Sequence, residues 1–324
     1  MKKLYRVSSL YKLISRWVSI ALGKSYWHMP QGLGKQFEPG KLLGYFNDMT
    51  AKTIWLGKTD KNGFPLVRVG GREVLFPTTL FQKALGHWDC SLNAEIEEVS
   101  RMGHRTDFLK VAEWAVSQQD TEGGWSVWSL VNLPSASPYS AMTQGEGISL
   151  LVRAYSLTGE EKFMVAARRA LQPLLKDVSQ GGVSREVNGK IILEELPAKE
   201  AKAVFNGWVF AIFGLYDLLL VGKDKMVDER LQITLKTLVN SLKDYNSGFW
   251  SYYDLSHNIS SPFYHELHIA QLKALEITFL DHSAAFSVVR KEFERQLSNP
   301  IDKALSVIIK IGQKISKPTK EVVS

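Results

Sequence analysis

From Pro77 onward, apolar residues return every three or four positions, and this periodicity constrains the chain to a helical protein more than any other feature. Ile148, Leu151, Val152 and Tyr155 keep i, i+3, i+4, i+7 spacing, as do Val209, Ile212, Phe213 and Tyr216. Ala304, Ile308, Ile311 and Ile315 keep the related i, i+4, i+7, i+11 spacing. Further helices are expected from Thr79 to Asn93 and from His104 to Gln119, and near residues 160–175, 226–245, 265–280 and 282–297. Two helices close on similar turns, Gln118-Gln119-Asp120-Thr121-Glu122-Gly123-Gly124-Trp125 and Tyr245-Asn246-Ser247-Gly248-Phe249-Trp250. A Gly-aromatic turn recurring along a helical chain predicts stacked hairpins that close into an α/α toroid, an incomplete barrel whose loops at one end line a central cleft. The expected fold is therefore mainly α, with a small N-terminal β-hairpin region.

Residues 1–76 read as a separate region ahead of the helical domain at 77–324. Thr53-Ile54-Trp55-Leu56 and Phe64-Pro65-Leu66-Val67-Arg68-Val69 flank Asp60-Lys61-Asn62-Gly63, and Asn-Gly between apolar runs predicts a hairpin. A second hairpin is expected within the helices, with Asn188-Gly189 joining Val183–Val187 to Lys190–Glu195. In the first 25 residues, Lys2, Lys3, Arg6, Lys12, Arg16 and Lys24 are spread among Leu4, Val7, Tyr11, Ile14, Val18 and Ala21 at helical spacing. That is a basic amphipathic helix; a secretory signal needs an unbroken apolar block of roughly 7–15 residues. It docks on its own domain or a dimer mate, or it makes peripheral contact with a membrane surface. No stretch approaches the roughly 20 apolar residues of a membrane span.

The formal net charge of +7 favours anionic partners, among them nucleic acid, anionic lipid and acidic polysaccharide. No helix-turn-helix, zinc-finger, RNA-binding or basic-zipper signature is present, so nucleic acid is not expected as a partner. Aromatic residues make up 11% of the chain, enough to serve both a core and a sugar-binding cleft. Cys90 is the one cysteine, which excludes an internal disulfide and a cysteine-rich metal site, and a cytoplasmic location is expected.

Four segments are too polar to read as simple turns: Pro138 to Gly147, Glu194-Glu195-Leu196-Pro197, Ser251-Tyr252-Tyr253-Asp254-Leu255, and Phe263-Tyr264-His265-Glu266-Leu267-His268. Taken singly, each is explained by capping and core packing. His265 and His268 lie three apart, but without a third ligand pattern the pair reads as structural, so no metal is expected.

Together these segments resemble the D-glucuronyl C5-epimerase family. Tyr139-Ser140-Ala141-Met142 with Gln144-Gly145, then Leu151-Val152-Arg153-Ala154-Tyr155, resembles the helix entry of its catalytic domain. Glu194-Glu195-x-Pro197 resembles its glutamate loop, and Phe205-Asn206-Gly207 through Ile212-x-Gly214-Leu215-Tyr216-Asp217-Leu218 the following helix. Tyr253-Asp254-Leu255 and Tyr264-His265-x-x-His268-Ile269-x-Gln271-Leu272 are similar to its last two motifs. Gly63-x-Pro65-Leu66, Phe76-Pro77 and Gln119-Asp120 with Gly123-Gly124-Trp125 extend the match, which runs in family order over residues 62–285.

The resemblance implies removal of the C5 proton of a hexuronate within a heparosan-like acidic polysaccharide and its return on the opposite face, turning D-glucuronate into L-iduronate. It implies no cofactor and a homodimer. It places Glu195 as the base, Tyr264 as the group on the opposite face, and Tyr253 as a supporting tyrosine. Tyr139, Gln144, Glu146, Arg153, Asn206, Trp125, Asp254 and His268 are the implied substrate-binding residues. On the hairpin strand Glu195 would share a face with Ile191 and Leu193, and this apolar setting is expected to raise its pKa. Two positions depart from the animal pattern: Leu196 stands in place of a tyrosine and Ser256 in place of an arginine. Arg153, Arg185 and Lys202 are the candidates for the missing charge. The rival readings are, in order, a polysaccharide lyase, a non-catalytic binding protein for acidic glycans, and a terpenoid cyclase, which lacks its acidic motif here.

Overall fold

The computed structural model describes residues 28–316 apart from Gly70 and Asn132. The basic amphipathic helix expected near the N-terminus lies outside the described residues. The protein is mainly helical, with two small antiparallel hairpins.

Ten α-helices are described: α1 Pro77–Leu92, α2 Glu98–Gln118, α3 Ala141–Thr158, α4 Glu161–Arg169, α5 Leu171–Leu175, α6 Phe205–Val221, α7 Lys225–Ser241, α8 Pro262–Thr278, α9 Ser283–Ser298 and α10 Pro300–Ser316. Every helix expected from periodicity is present. The segment 160–175 is broken in two at Ala170, because Pro173 lacks the N–H that an unbroken helix would bond to the preceding turn.

The central packing is α3 against α6. Both helices are apolar on nearly every side, as buried helices must be. Their backbones meet at glycines: a Cβ on Gly145 would lie 2.3 Å from the Phe210 carbonyl oxygen, and one on Gly214 would lie 2.5 Å from that of Gly145. Around this pair run α1 with α2, α4 against α3, α7 against α6, and α8 with α9. The segment before α1 joins the same core, where Tyr45, Phe46 and Met49 are fully buried. Phe46 stacks on Phe213 with ring centres 3.9 Å apart. A large side chain buried in this way stabilises the fold by about 1.5–3 kcal/mol relative to exposure.

The first hairpin differs from expectation in one strand. Asp60–Gly63 does form a turn, with Asp60 Oδ1 accepting from the N–H groups of Asn62 and Phe64. Its expected partner strand is absent. Thr50–Thr53 is a short 3₁₀ turn, started where Asp48 Oδ1 accepts from the Thr50 N–H, and Leu56 is 93% exposed. β1 (Leu66–Val69) pairs instead with β2 (Arg72–Leu75). The second hairpin forms as expected, β3 (Ser184–Val187) against β4 (Lys190–Leu193), with Asn188 and Gly189 both at positive φ in the turn.

Candidate active site

Strand β4 ends at Leu193, two residues short of the expected strand, so Glu194 and Glu195 enter a loop. Glu194 is fully buried and saturated. It pairs with Arg185 Nε at 3.1 Å and accepts from the Ala203 N–H at 2.9 Å and the Lys202 N–H at 3.2 Å. Its own backbone carbonyl accepts from Ala141, the first residue of α3. Glu194 therefore ties β3 and the entries of α3 and α6 to one point, and its neighbour is fixed with it.

Glu195 points to a different set of partners. Asn206 Nδ2, in the first turn of α6, donates to its Oε2 at 3.2 Å, and the Tyr253 hydroxyl donates to its Oε1 at 3.4 Å. Trp128 Nε1 donates to its backbone carbonyl at 3.0 Å. A Cβ on Gly207 would lie 2.3 Å from Oε2, so the carboxyl rests directly on the start of α6. The residue is partly exposed while its carboxyl is enclosed by protein. Burial pushes its pKa up to about 7; the two hydrogen bonds pull it down, and the charges of Asp254 and Glu194 add to the rise.

Tyr253 packs edge-on against Tyr264, with ring centres 4.8 Å apart and planes at 64°. Burial raises the Tyr253 pKa well above its ordinary value, with the charge of Glu195 as the next cause, so it remains a neutral donor. Tyr264 sits in the first turn of α8, which opens on Ser261 and Pro262; the Ser261 hydroxyl accepts from the Tyr264 N–H at 3.5 Å. Loop and helices are laced together by the Phe205 N–H on the Tyr253 carbonyl and the Leu255 N–H on the Lys202 carbonyl. The first turns of α6 and α8 thus contribute Asn206 and Tyr264 to one cluster.

The other residues expected at the site divide by how fully they are occupied. Asn206 is in the cluster, and its Oδ1 has no hydrogen-bond partner among the described residues. Glu146 is fully buried, receives Gln82 Nε2 at 3.0 Å, and leaves Oε2 without a partner among the described residues. Burial pushes its pKa up to about 8; Gln82 and Lys52 pull it down, and the Glu195 charge adds to the rise. Lys52, equally buried, is pushed down to about 7. His268 bonds Ser251 Oγ through Nδ1 at 3.0 Å and lies against Phe205; its Nε2 is unpartnered among the described residues.

The remaining five are engaged in the protein itself. Trp125 donates its indole N–H to the Ala115 carbonyl, and Gln144 spans Trp125, Gly123 and Ala170. The Tyr139 hydroxyl donates to Asp120 at 2.7 Å. Asp254 caps its own turn through Ser256 and Asn258. Arg153 is 1% exposed, ion-paired to Asp217 and bonded to the carbonyls of Ser149, Leu43 and Gly44. His265 has both ring nitrogens occupied, by Ser251 and the Phe293 carbonyl, and stacks on Trp250. No cluster that could hold a metal ion occurs among the described residues. Lys52, Gln82 and Trp128 were not anticipated from sequence, since nothing local distinguishes them from ordinary core and loop residues.

These features define a class: a helical protein in which two loops and the first turns of two helices bring together a carboxyl of raised pKa, two phenols and an amide. Residues 119–295, more than half of the chain, match the family described as D-glucuronyl C5-epimerase C-terminus, and the chain belongs to that family. A D-glucuronyl C5-epimerase of Caenorhabditis elegans is 34% identical over 200 residues, which cover 53% of this chain and 32% of that protein. The chain therefore spans about a third of the length of this curated relative.

Proposed function

We propose that this protein is a polysaccharide uronate C5-epimerase, converting D-glucuronate to L-iduronate within a heparosan-like acidic chain. The observation that carries the proposal is Glu195. It is a carboxyl poised near neutrality by burial, held by two neutral donors and next to a pair of tyrosines. A general base works best with a pKa near the operating pH.

In this reading the Glu195 carboxylate takes the C5 proton. The C–H electron pair moves into the adjoining uronate carboxylate, which becomes more negative. Protonated Glu195 no longer needs the Tyr253 hydrogen bond, so that hydroxyl turns to the uronate carboxylate as its charge grows. The Tyr264 hydroxyl returns a proton to C5 from the opposite face, and exchange with solvent restores both groups. The helical pairs around α3 and α6 are read as an incomplete α/α toroid formed by residues 77–324, and a homodimer belongs to the same reading.

The test is incubation of the purified chain with unsulfated glucuronate–glucosamine polymer in deuterated water, followed by NMR at C5. Deuterium at C5 together with iduronate signals is the expected result. An ultraviolet-absorbing unsaturated chain end would make the protein a lyase. Binding of acidic glycans without exchange would make it a non-catalytic binding protein.

A further inference from the structure

Among the described residues, the cations first expected to meet a uronate carboxylate near Glu195 are engaged by the protein itself. Arg153 is locked onto Asp217, and Arg185 is divided between Glu194 and the Ala198 carbonyl. Lys202 Nζ donates to Ser256 Oγ at 3.4 Å. A different lysine approaches from α10, which lies beyond the last residue of the family match. Lys310 Nζ stands over the face of Tyr253, 5.6 Å from the ring centre. No ion pair to Lys310 is formed among the described residues, although Asp254 lies near enough to favour its charge.

The placement is anchored. Gln313, one turn further along α10, accepts from the Ile259 N–H at 3.0 Å and donates to the His257 carbonyl at 3.2 Å. Helix α10 is thereby stitched to the loop that carries Tyr253. Packing against α8 and α9 holds it from the other side.

We propose that Lys310 supplies the cation that holds the substrate carboxylate over Tyr253, so that α10, outside the family domain, completes the site. The inference rests on the uronate reading of the Glu195 cluster. The face of Tyr253 keeps the ammonium in place while no anion is bound. An incoming carboxylate then gains a charge-assisted partner beside the group that already faces Glu195. Because burial and the Lys314 charge hold the Lys310 pKa down to about 8, against the opposing pull of Asp254, the cation is present at neutral pH and lost just above it. The alkaline limb of kcat/KM reports that loss in the free enzyme.

The experiment uses the full chain as wild type, K310M, K310R and K303M, with C5 deuterium uptake into the unsulfated polymer followed across pH. Lys303 is exposed on the same helix and serves as the control. K310M is expected to lower kcat/KM by about ten- to a hundredfold, mainly through KM, without loss of Tm. K310R is expected to restore most of the activity and to carry the alkaline limb upward, and K303M to match wild type. Wild-type kcat/KM and an unmoved alkaline limb in K310M would overturn the proposal, as would a Tm loss that accounts for the whole defect. If the wild type exchanges no C5 proton, the epimerase reading fails separately. Calorimetric binding of the same polymer to wild type and K310M then decides Lys310: equal affinities sink it, and a weakened K310M supports it.

Discussion

Glu194 and Glu195 are adjacent in sequence, identical in chemistry and both held by protein groups, yet the fold uses them in opposite ways. Glu194 meets a guanidinium and backbone N–H groups, all donors to a carboxylate, and it ties β3 to the entries of α3 and α6. Glu195 meets an amide and a phenol, neutral donors that can equally serve a neighbour; burial raises the pKa of both carboxyls, against the N–H groups and Arg185 at Glu194, and lifts that of Glu195 to about 7. A carboxylate surrounded by cations and fixed N–H groups stays where it is. One surrounded by neutral donors in a desolvated setting can exchange a proton at neutral pH.

The sharpest break of this comparison is Glu195→Gln. Loss of C5 exchange on the order of a thousandfold is expected, because the base is gone while the side chain keeps its shape and one acceptor oxygen. Stability should move the other way. The folded pKa lies above the ordinary 4.5, so the wild type loses stability as pH rises from about 4.5 to about 7, and the glutamine does not. Thermal melts at pH 8 and pH 4 check this: E195Q should melt higher at the first and equal to wild type at the second. Gly207→Ala comes next. Its Cβ would stand 2.3 Å from Glu195 Oε2, so the carboxyl must shift. A misplacement of that size is expected to cost about a hundredfold in turnover. Retained wild-type turnover in G207A would show that the position of Glu195 is not critical.

Glu194→Gln tests the other half. It leaves the Arg185 guanidinium without its carboxylate in a mostly buried setting, and a loss of about 2–3 kcal/mol in chemical denaturation is expected. The protein that remains folded should still exchange C5 protons. If E194Q instead abolished exchange in fully folded protein, the division between clamp and base would be wrong.

The helices and one hairpin were legible in the sequence, the contrast between Glu194 and Glu195 was not, and both outcomes have physical causes. Helical periodicity located the helices because each buries part of its surface against a neighbouring helix, and Asn188-Gly189 located a hairpin because both residues can adopt positive φ. The partner strand of the first hairpin was not legible. Thr53 to Leu56 has strand-like composition, but the Asp48 side chain starts a 3₁₀ turn at Thr50–Thr53 just before it, and Ile54 and Leu56 are left exposed. Nor does sequence tell which polar residues are already satisfied. Arg153 reads as a substrate cation until Asp217, on α6, is found against it. Lys310 reads as one position of an amphipathic helix, and only the docking of α10 through Gln313 brings it to Tyr253.

The finest test is a shift of pH dependence. The Tyr253 hydroxyl is the first of the groups that pull the Glu195 pKa down, ahead of Asn206. Tyr253→Phe removes that donor and leaves the desolvation that raises the pKa, so the acid limb of kcat/KM should move upward from about 7. The hydrogen bond is 3.4 Å long, so the expected movement is under about one unit. Turnover at high pH should also fall, by about tenfold, because the uronate carboxylate loses a donor as its charge grows. The two effects separate the two roles of one hydroxyl. A limb that moves while high-pH turnover stays at wild type would leave Tyr253 as a tuner of Glu195 alone. A limb that stays while turnover falls would place its hydroxyl on the substrate from the start, and Glu195 would then owe its poise to burial and Asn206.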